Sequence, residues 1–283
     1  MPGRGKHTDF RQIPRCFADN PTMPDSPTTT PDPTVTVPRL RFVLVRTSHP
    51  GNIGAAARAI RTMGLTRLHL VAPHRYPHAD ATAMAAGADD VLAGVVITPT
   101  LQDAVADCTL VLGCTARQRA VPLQELAPRD AAARALDAAA LGEVALVFGN
   151  ERTGLENDEL MCCHAAVHIP SAPDFPSLNL AQAVQVLAYE VRMALLQGAA
   201  RTPEQGGREA LATNAELEHF FGHLAQMLDD IDFHKGRSPV TIMKRLRRLF
   251  VRNELEQREV RILRGIFDDA QRMARLAKER APK

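Results

Sequence analysis

The chain has 283 residues, of which 45% are hydrophobic and 23% charged. That ordinary globular balance excludes a wholly disordered polypeptide and suits one large domain or two smaller ones. No stretch reaches the roughly 18 apolar residues of a membrane helix, and the opening MPGRGKHTDF lacks the apolar segment of a secretory signal.

Residues 1–38 hold 8 of the 20 prolines and a run of threonines. Few apolar groups there offset the cost of ordering, so this segment reads as a disordered arm. From Leu40 the pattern changes. Short β-branched runs at Arg41–Val45, Arg67–Val71, Val95–Thr98, Thr109–Gly113, Val144–Phe148 and Ala166–Ile169 predict strands. Helical patterns at Asn52–Met63, Ala79–Ala86, Leu101–Ala106, Ala131–Ala140 and Ala181–Leu196 alternate with them. Strands that are almost wholly apolar predict a parallel α/β sheet with helices on both faces. This domain spans 39–198. The Gly- and Pro-containing stretch 199–208 reads as a linker, and 209–283 as a small helical extension with helices near Asn214–Leu228, Pro239–Val251 and Asn253–Glu279. Ser238 and Pro239 form a plausible cap and first turn.

The net charge of +2 conceals an asymmetry. From Lys235 onward 15 Lys and Arg face 6 Asp and Glu, whereas 19 face 26 before it. A basic tail on a mildly acidic body suits a nucleic-acid partner, although a solvated Arg-rich helix face has the same composition. The five cysteines show no CxxC pair, which fits a reducing cytoplasm better than a disulfide framework.

Three segments could carry chemistry. His49-Pro50-Gly51-Asn52-Ile53-Gly54 follows the first strand and opens a helix, with Asn52 as a natural cap. Gly51, Gly54 and the following alanines would admit either a packed backbone or a nucleotide phosphate, and Arg58 lies one turn beyond Gly54. The pattern is neither GxGxxG nor a P-loop. Next, the strand Val144–Phe148 runs into Gly149-Asn150-Glu151-Arg152, placing polar groups at the carboxyl end of a strand, where open α/β sheets bind ligands. Gly113-Cys114-Thr115-Ala116 forms a similar end. Third, a Pro-punctuated loop ends in Ser177-Leu178-Asn179 before the long helix, where Ser177 or Asn179 could equally be a helix cap. Cys162-Cys163-His164 has no second ligand pair, so no metal site is expected.

In order and spacing, GNIGAAARA, LVFGNERTGL and IPSAPDFPSLNLAQAVQVLAYE resemble the three motifs of the SPOUT superfamily of RNA ribose 2′-O-methyltransferases. The similarity is greatest to its bacterial tRNA (cytidine/uridine-2′-O)-methyltransferase branch. It covers about residues 39–198 and continues weakly into the basic helices. The resemblance implies a C-terminal trefoil knot, S-adenosylmethionine as cofactor, a homodimer with its active site at the subunit interface, and tRNA as partner, modified at position 32 of the anticodon loop. It places the cofactor at Cys114, Thr115, Ala116, Gly149, Ile169, Pro176, Ser177 and Leu178. It assigns Arg58 as the catalytic arginine with Asn52 beside it, and gives polar roles to Glu151, Ser177 and Asn179.

Methyl transfer from a sulfonium requires alignment of the ribose oxygen and removal of its proton. A free guanidinium keeps its proton below a pKa of about 12, so Arg58 is expected mainly to bind phosphate and polarise the hydroxyl. Arg245, Arg247, Arg248, Arg252 and Arg261 are the expected RNA contacts. The rival expectations are a same-fold enzyme acting on ribosomal RNA or another tRNA position, a non-catalytic RNA-binding relative, and a nicotinamide oxidoreductase, against which the absent GxGxxG counts.

Overall fold

A computed structural model describes residues 39–116, 123–174, 177–198 and 210–280. The expected arm at 1–38 and linker at 199–208 lie outside the described residues.

In chain order, β1 (Leu40–Val45) leads to α1 (Pro50–Thr62), β2 (Leu68–Val71), α2 (Ala79–Ala85), α3 (Asp89–Ala93), β3 (Val96–Thr98) and α4 (Leu101–Ala104). Then come β4 (Cys108–Cys114), β5 (Gln124–Leu126), α5 (Pro128–Ala139), β6 (Glu143–Phe148), α6 (Asn157–Leu160), β7 (Ala165–Val167) and α7 (Leu180–Leu196). Three further helices follow: α8 (Asn214–Asp230), α9 (Pro239–Val251) and α10 (Gln257–Arg280). Among the described residues, no helix is long and apolar enough to cross a membrane.

The seven strands form one parallel sheet in the order β3-β2-β1-β6-β4-β7-β5. Side chains alternate across it, and both faces of the five central strands are buried, whereas the edge strands β3 and β5 are largely exposed. Phe42, Leu44, Leu110, Leu112, Leu146 and Phe148 point to one core, shared with α1, α5 and α7. Val43, Val45, Val111, Ala145 and Val147 point to a second, closed by Leu101, Leu155, Leu160 and Cys163. Burial on both faces is why these strands read as continuous apolar runs rather than alternating ones. At the amino end of the sheet Arg41, only 4% exposed, bonds Asp107 and Glu143 and closes that edge.

The sequence reading missed β5, α3 and α6. β5 is a three-residue edge strand exposed at two positions, and its residues carry no apolar run. α6 is four residues long and held by a capping box between Glu156 and Glu159, an arrangement in which side-chain bonds replace hydrophobic periodicity. α10 begins at Gln257, later than the expected Asn253, because Glu254 takes a left-handed φ of 46° and interrupts the helix.

The three C-terminal helices have a core of their own, built on Phe220, Phe221, Leu224, Val260 and Phe267. They rest against the sheet unit through an Ala215 N–H donating to the Ala106 carbonyl and an Arg134–Glu254 ion pair. Ser238 caps α9 as expected, accepting from the Thr241 amide, with Pro239 in the first turn.

Candidate active site

In a parallel sheet every strand ends at the same edge, so the loops after β1, β4, β6 and β7 converge there although they lie far apart in the chain. The cleft at that edge is lined by Cys114, Thr115 and Ala116 after β4 and by Phe148 through Gly154 after β6. Ile169, Ser177, Leu178, Leu180 and Ala183 complete it. Every cofactor position expected from the sequence lines this cleft except Pro176, which lies outside the described residues. Thr115 is fixed by donating its amide to the Val167 carbonyl.

Gly149 is required by close approach. A Cβ there would stand 2.2 Å from both the Gly154 carbonyl carbon and the Leu155 nitrogen. The chain folds back at this point, with Gly154 at φ 66° and its amide donating to the Asn150 carbonyl. Cys114 contributes no charge, because burial pushes its thiol up to about 12. Strand-end backbone with the uncharged Cys114, Thr115 and Ala116 forms a part of the cleft that suits an adenosyl group, while Glu151 and Arg152 bring charge to the same lining.

Glu151 accepts hydrogen bonds from the Ser48 amide (2.9 Å), the His49 amide (3.2 Å) and the Asn52 side-chain amide (2.9 Å). Burial would raise its pKa, but these donors hold the carboxyl below its ordinary 4.5. Asn52 in turn accepts from the Asn179 side-chain amide at 3.0 Å. Asn179 caps α7, accepting from the Ala181 amide at 2.9 Å, and forms a capping box with Gln182. Glu151, Asn52 and Asn179 thereby tie all three motifs into one relay.

The relay corrects the expected role of Asn52. It is not the cap of α1: His49 holds that position without a side-chain bond, and Pro50 fills the first turn. Of the two roles open for the glycines, Gly54 serves backbone packing, since a Cβ there would lie 1.9 Å from the Ala81 carbonyl oxygen of α2. Asn150, noted in the motif but given no role, donates to the Arg46 carbonyl (2.6 Å) and the Ser48 hydroxyl (2.9 Å). Its signal was its position between two residues already singled out.

Arg58 is exposed and does not line the cleft. It follows Gly51 by seven residues and Ala55 by three, on the same helical face. Gly51, Asn52 and Ala55 line an adjoining open hollow with His49, Arg75, Asp80 and Asn179. In the basic helices, Arg247 pairs with Glu218 and lies over the Phe221 ring at 4.3 Å. Arg261 donates to the Gln257 carbonyl of its own helix. Arg245, Arg248 and Arg252 are exposed.

Fold and cleft together define an α/β enzyme that takes a nucleotide-like ligand at the carboxyl edge of a parallel sheet. Residues 39–189 match the SpoU rRNA Methylase family, and residues 215–279 match the tRNA methyltransferase TrmJ C-terminal domain. A tRNA (cytidine/uridine/adenosine-2′-O-)-methyltransferase TrmJ of Pseudomonas aeruginosa is 49% identical over 245 residues, covering 84% of this chain and 95% of that protein. The tRNA (cytidine/uridine-2′-O-)-methyltransferase TrmJ of Salmonella typhimurium is 48% identical, covering 81% and 94%. Among solved structures, TrmJ from Z. mobilis superposes with a TM-score of 0.68 at 36% identity, covering 81% of this chain and 97% of that one. The chain belongs to the SpoU methylase family, and it is a methyltransferase.

Proposed function

We propose that this enzyme methylates the 2′-oxygen of a ribose in tRNA, with cytidine or uridine at position 32 of the anticodon loop as target and S-adenosylmethionine as donor. The observation that carries this reading is the Glu151–Asn52–Asn179 relay, which fixes one edge of the cleft next to Ser177. The names of the relatives supply the substrate class.

When bound, S-adenosylmethionine supplies an activated methyl group. The loops after β4, β6 and β7 hold the adenosyl moiety, with Gly149 letting the end of β6 pack against the Gly154–Leu155 backbone and the neutral Cys114 thiol adding no charge. Ser177 and Asn179 orient the ribose. Arg58 binds the target phosphate and polarises the hydroxyl.

Because Arg58 stands outside the cleft of its own chain, this role requires a homodimer in which it reaches the cleft of the second protomer. A surface for such a contact exists on α7, where Tyr189 (48% exposed) and Leu196 (40%) lie on one side with Val186 and Met193. The segment joining β7 to α7 is the part of the chain that the trefoil knot would involve. We assign 39–198 to the methyltransferase domain and 209–283 to a tRNA-binding domain that acts through Arg245, Arg248 and Arg252, in the cytoplasm.

Incubation with bulk tRNA and labelled donor, followed by mapping of the methylated nucleotide, tests the reading. Label at a pyrimidine 32 ribose is expected, lost when that ribose is 2′-deoxy. Label confined to ribosomal RNA would overturn it. Arg58→Ala should abolish transfer and keep donor binding; near-normal turnover in that variant removes Arg58 from the reaction.

A further inference from the structure

Away from the cleft, α9 faces the sheet unit across a groove of about 500 Å³. One wall is α9 with the residue that caps its end, presenting Lys244, Arg247, Arg248, Val251 and Arg252. The other carries Gln124, Asn157 and Met161, from β5 and from α6 and the residue after it. Lys244, Arg248 and Arg252 recur every four residues, so they stand on one helical face about 6 Å apart along the axis, a spacing close to that of successive phosphates on a nucleic-acid strand. They are exposed, and their side chains have no acidic partner among the described residues.

The rest of the lining sharpens the chemistry. Among the described residues that line the groove none is a carboxylate; Glu218 and Glu254 stand near it, paired with Arg247 and Arg134. Arg247 is already paired with Glu218 and steadies the helix. The His164 ring at the floor accepts the Val111 amide, and burial pushes its pKa down to about 4, leaving the floor uncharged. Leu123, Met161 and Val251 supply apolar surface on which an unstacked base can lie, while Gln124 and Asn157 offer amide donors and acceptors. The groove also abuts the reaction cleft in sequence. Residues 152–154 line the cleft, and Asn157 and Met161 line the groove.

We propose that this groove is a second RNA subsite, which grips a single-stranded stretch of the substrate with its phosphates on Lys244, Arg248 and Arg252 and a base against Met161 and Val251. The inference rests on the RNA reading above and adds that recognition needs both walls. A merely basic tail would bind through α9 alone. Two variants separate these cases: Lys244→Ala/Arg248→Ala/Arg252→Ala strips one wall, and Asn157→Glu places a carboxylate on the other without touching α9.

Filter binding of bulk tRNA over a salt series is the readout, with thermal melting and donor affinity as checks of folding. The triple variant should bind at least about tenfold more weakly, with a log K against log salt slope shallower by about 2 for three lost single-strand phosphates. Asn157→Glu should weaken binding several-fold, and a short oligouridylate should compete with tRNA in the wild type only. If wild-type binding is steep in salt yet Asn157→Glu matches it, the RNA reading stands and the groove fails. Absence of tRNA binding by the wild type would defeat the RNA reading itself. Displacement of tRNA by polyglutamate but not by oligouridylate would assign the groove to an acidic peptide and overturn the proposal.

Discussion

At the carboxyl edge of the sheet, Glu151, Asn52, Asn179 and Asn150 each bond a part of the chain remote in sequence. Along α9, three cations in succession stand exposed with no acidic partner among the described residues. The first region is a satisfied network whose geometry is set before any ligand arrives; the second is open charge, on which the proposed RNA contact rests. Chemistry at a defined oxygen needs the former, because small misplacements are costly. Holding a polyanion needs the latter, because counterion release depends on charge more than on fit.

The comparison breaks most readily at Gly149. Gly149→Ala would drive a Cβ into the Gly154–Leu155 backbone, and we expect methyl transfer to fall about a hundredfold or more with loss of donor binding by calorimetry. Donor affinity within twofold of wild type would show that this edge is not rigid. Asn179 distinguishes capping from the relay. Asn179→Ala should cost about 1 kcal/mol in urea denaturation through loss of the cap, and should lower activity as well. Asn179→Asp restores an acceptor for the Ala181 amide but cannot donate to Asn52, so stability should return without full activity. Recovery of both would dismiss the Asn52–Asn179 bond as incidental.

Glu151 gives a pH test with a definite sign. Its native pKa lies below the ordinary 4.5, so its contribution to stability is complete above that value and lost as pH falls through the native pKa. Melting temperature should therefore drop more steeply in wild type than in Glu151→Gln between about pH 5 and pH 3; parallel profiles would contradict this. The smallest effect is expected at the open surface. Arg245→Ala should leave the melting temperature unchanged and reduce the salt slope of tRNA binding by no more than about 0.7. A measurable loss of folding stability would mean that this arginine, like Arg247, is part of the bundle's structure.

Local pattern was enough for elements whose own residues carry an apolar or β-branched run, whether buried or, as in β3, exposed. The six longer or more apolar strands, the helices α1, α5 and α7, and the Ser238-Pro239 start of α9 were all legible as periodicity and capping. β5 and α6 were not, because an exposed edge strand and a four-residue turn owe their form to neighbours rather than to their own residues. The strand-end positions Cys114, Gly149 and Ile169 line the cleft, a placement legible in the sequence because strand ends mark the ligand edge of a parallel sheet.

The amino-acid sequence by itself therefore determined the α/β class, the loops that meet at the ligand edge and the basic character of the tail. Tertiary structure alone decided the partners. Asn52 bonds Asn179 across 127 residues of chain rather than capping its own helix. Gly54 meets α2, and Arg247 is taken up by Glu218. A side chain's hydrogen-bonding capacity is written in its residue type, but which donor comes within 3 Å depends on strand order and helix packing, and no local spacing encodes these.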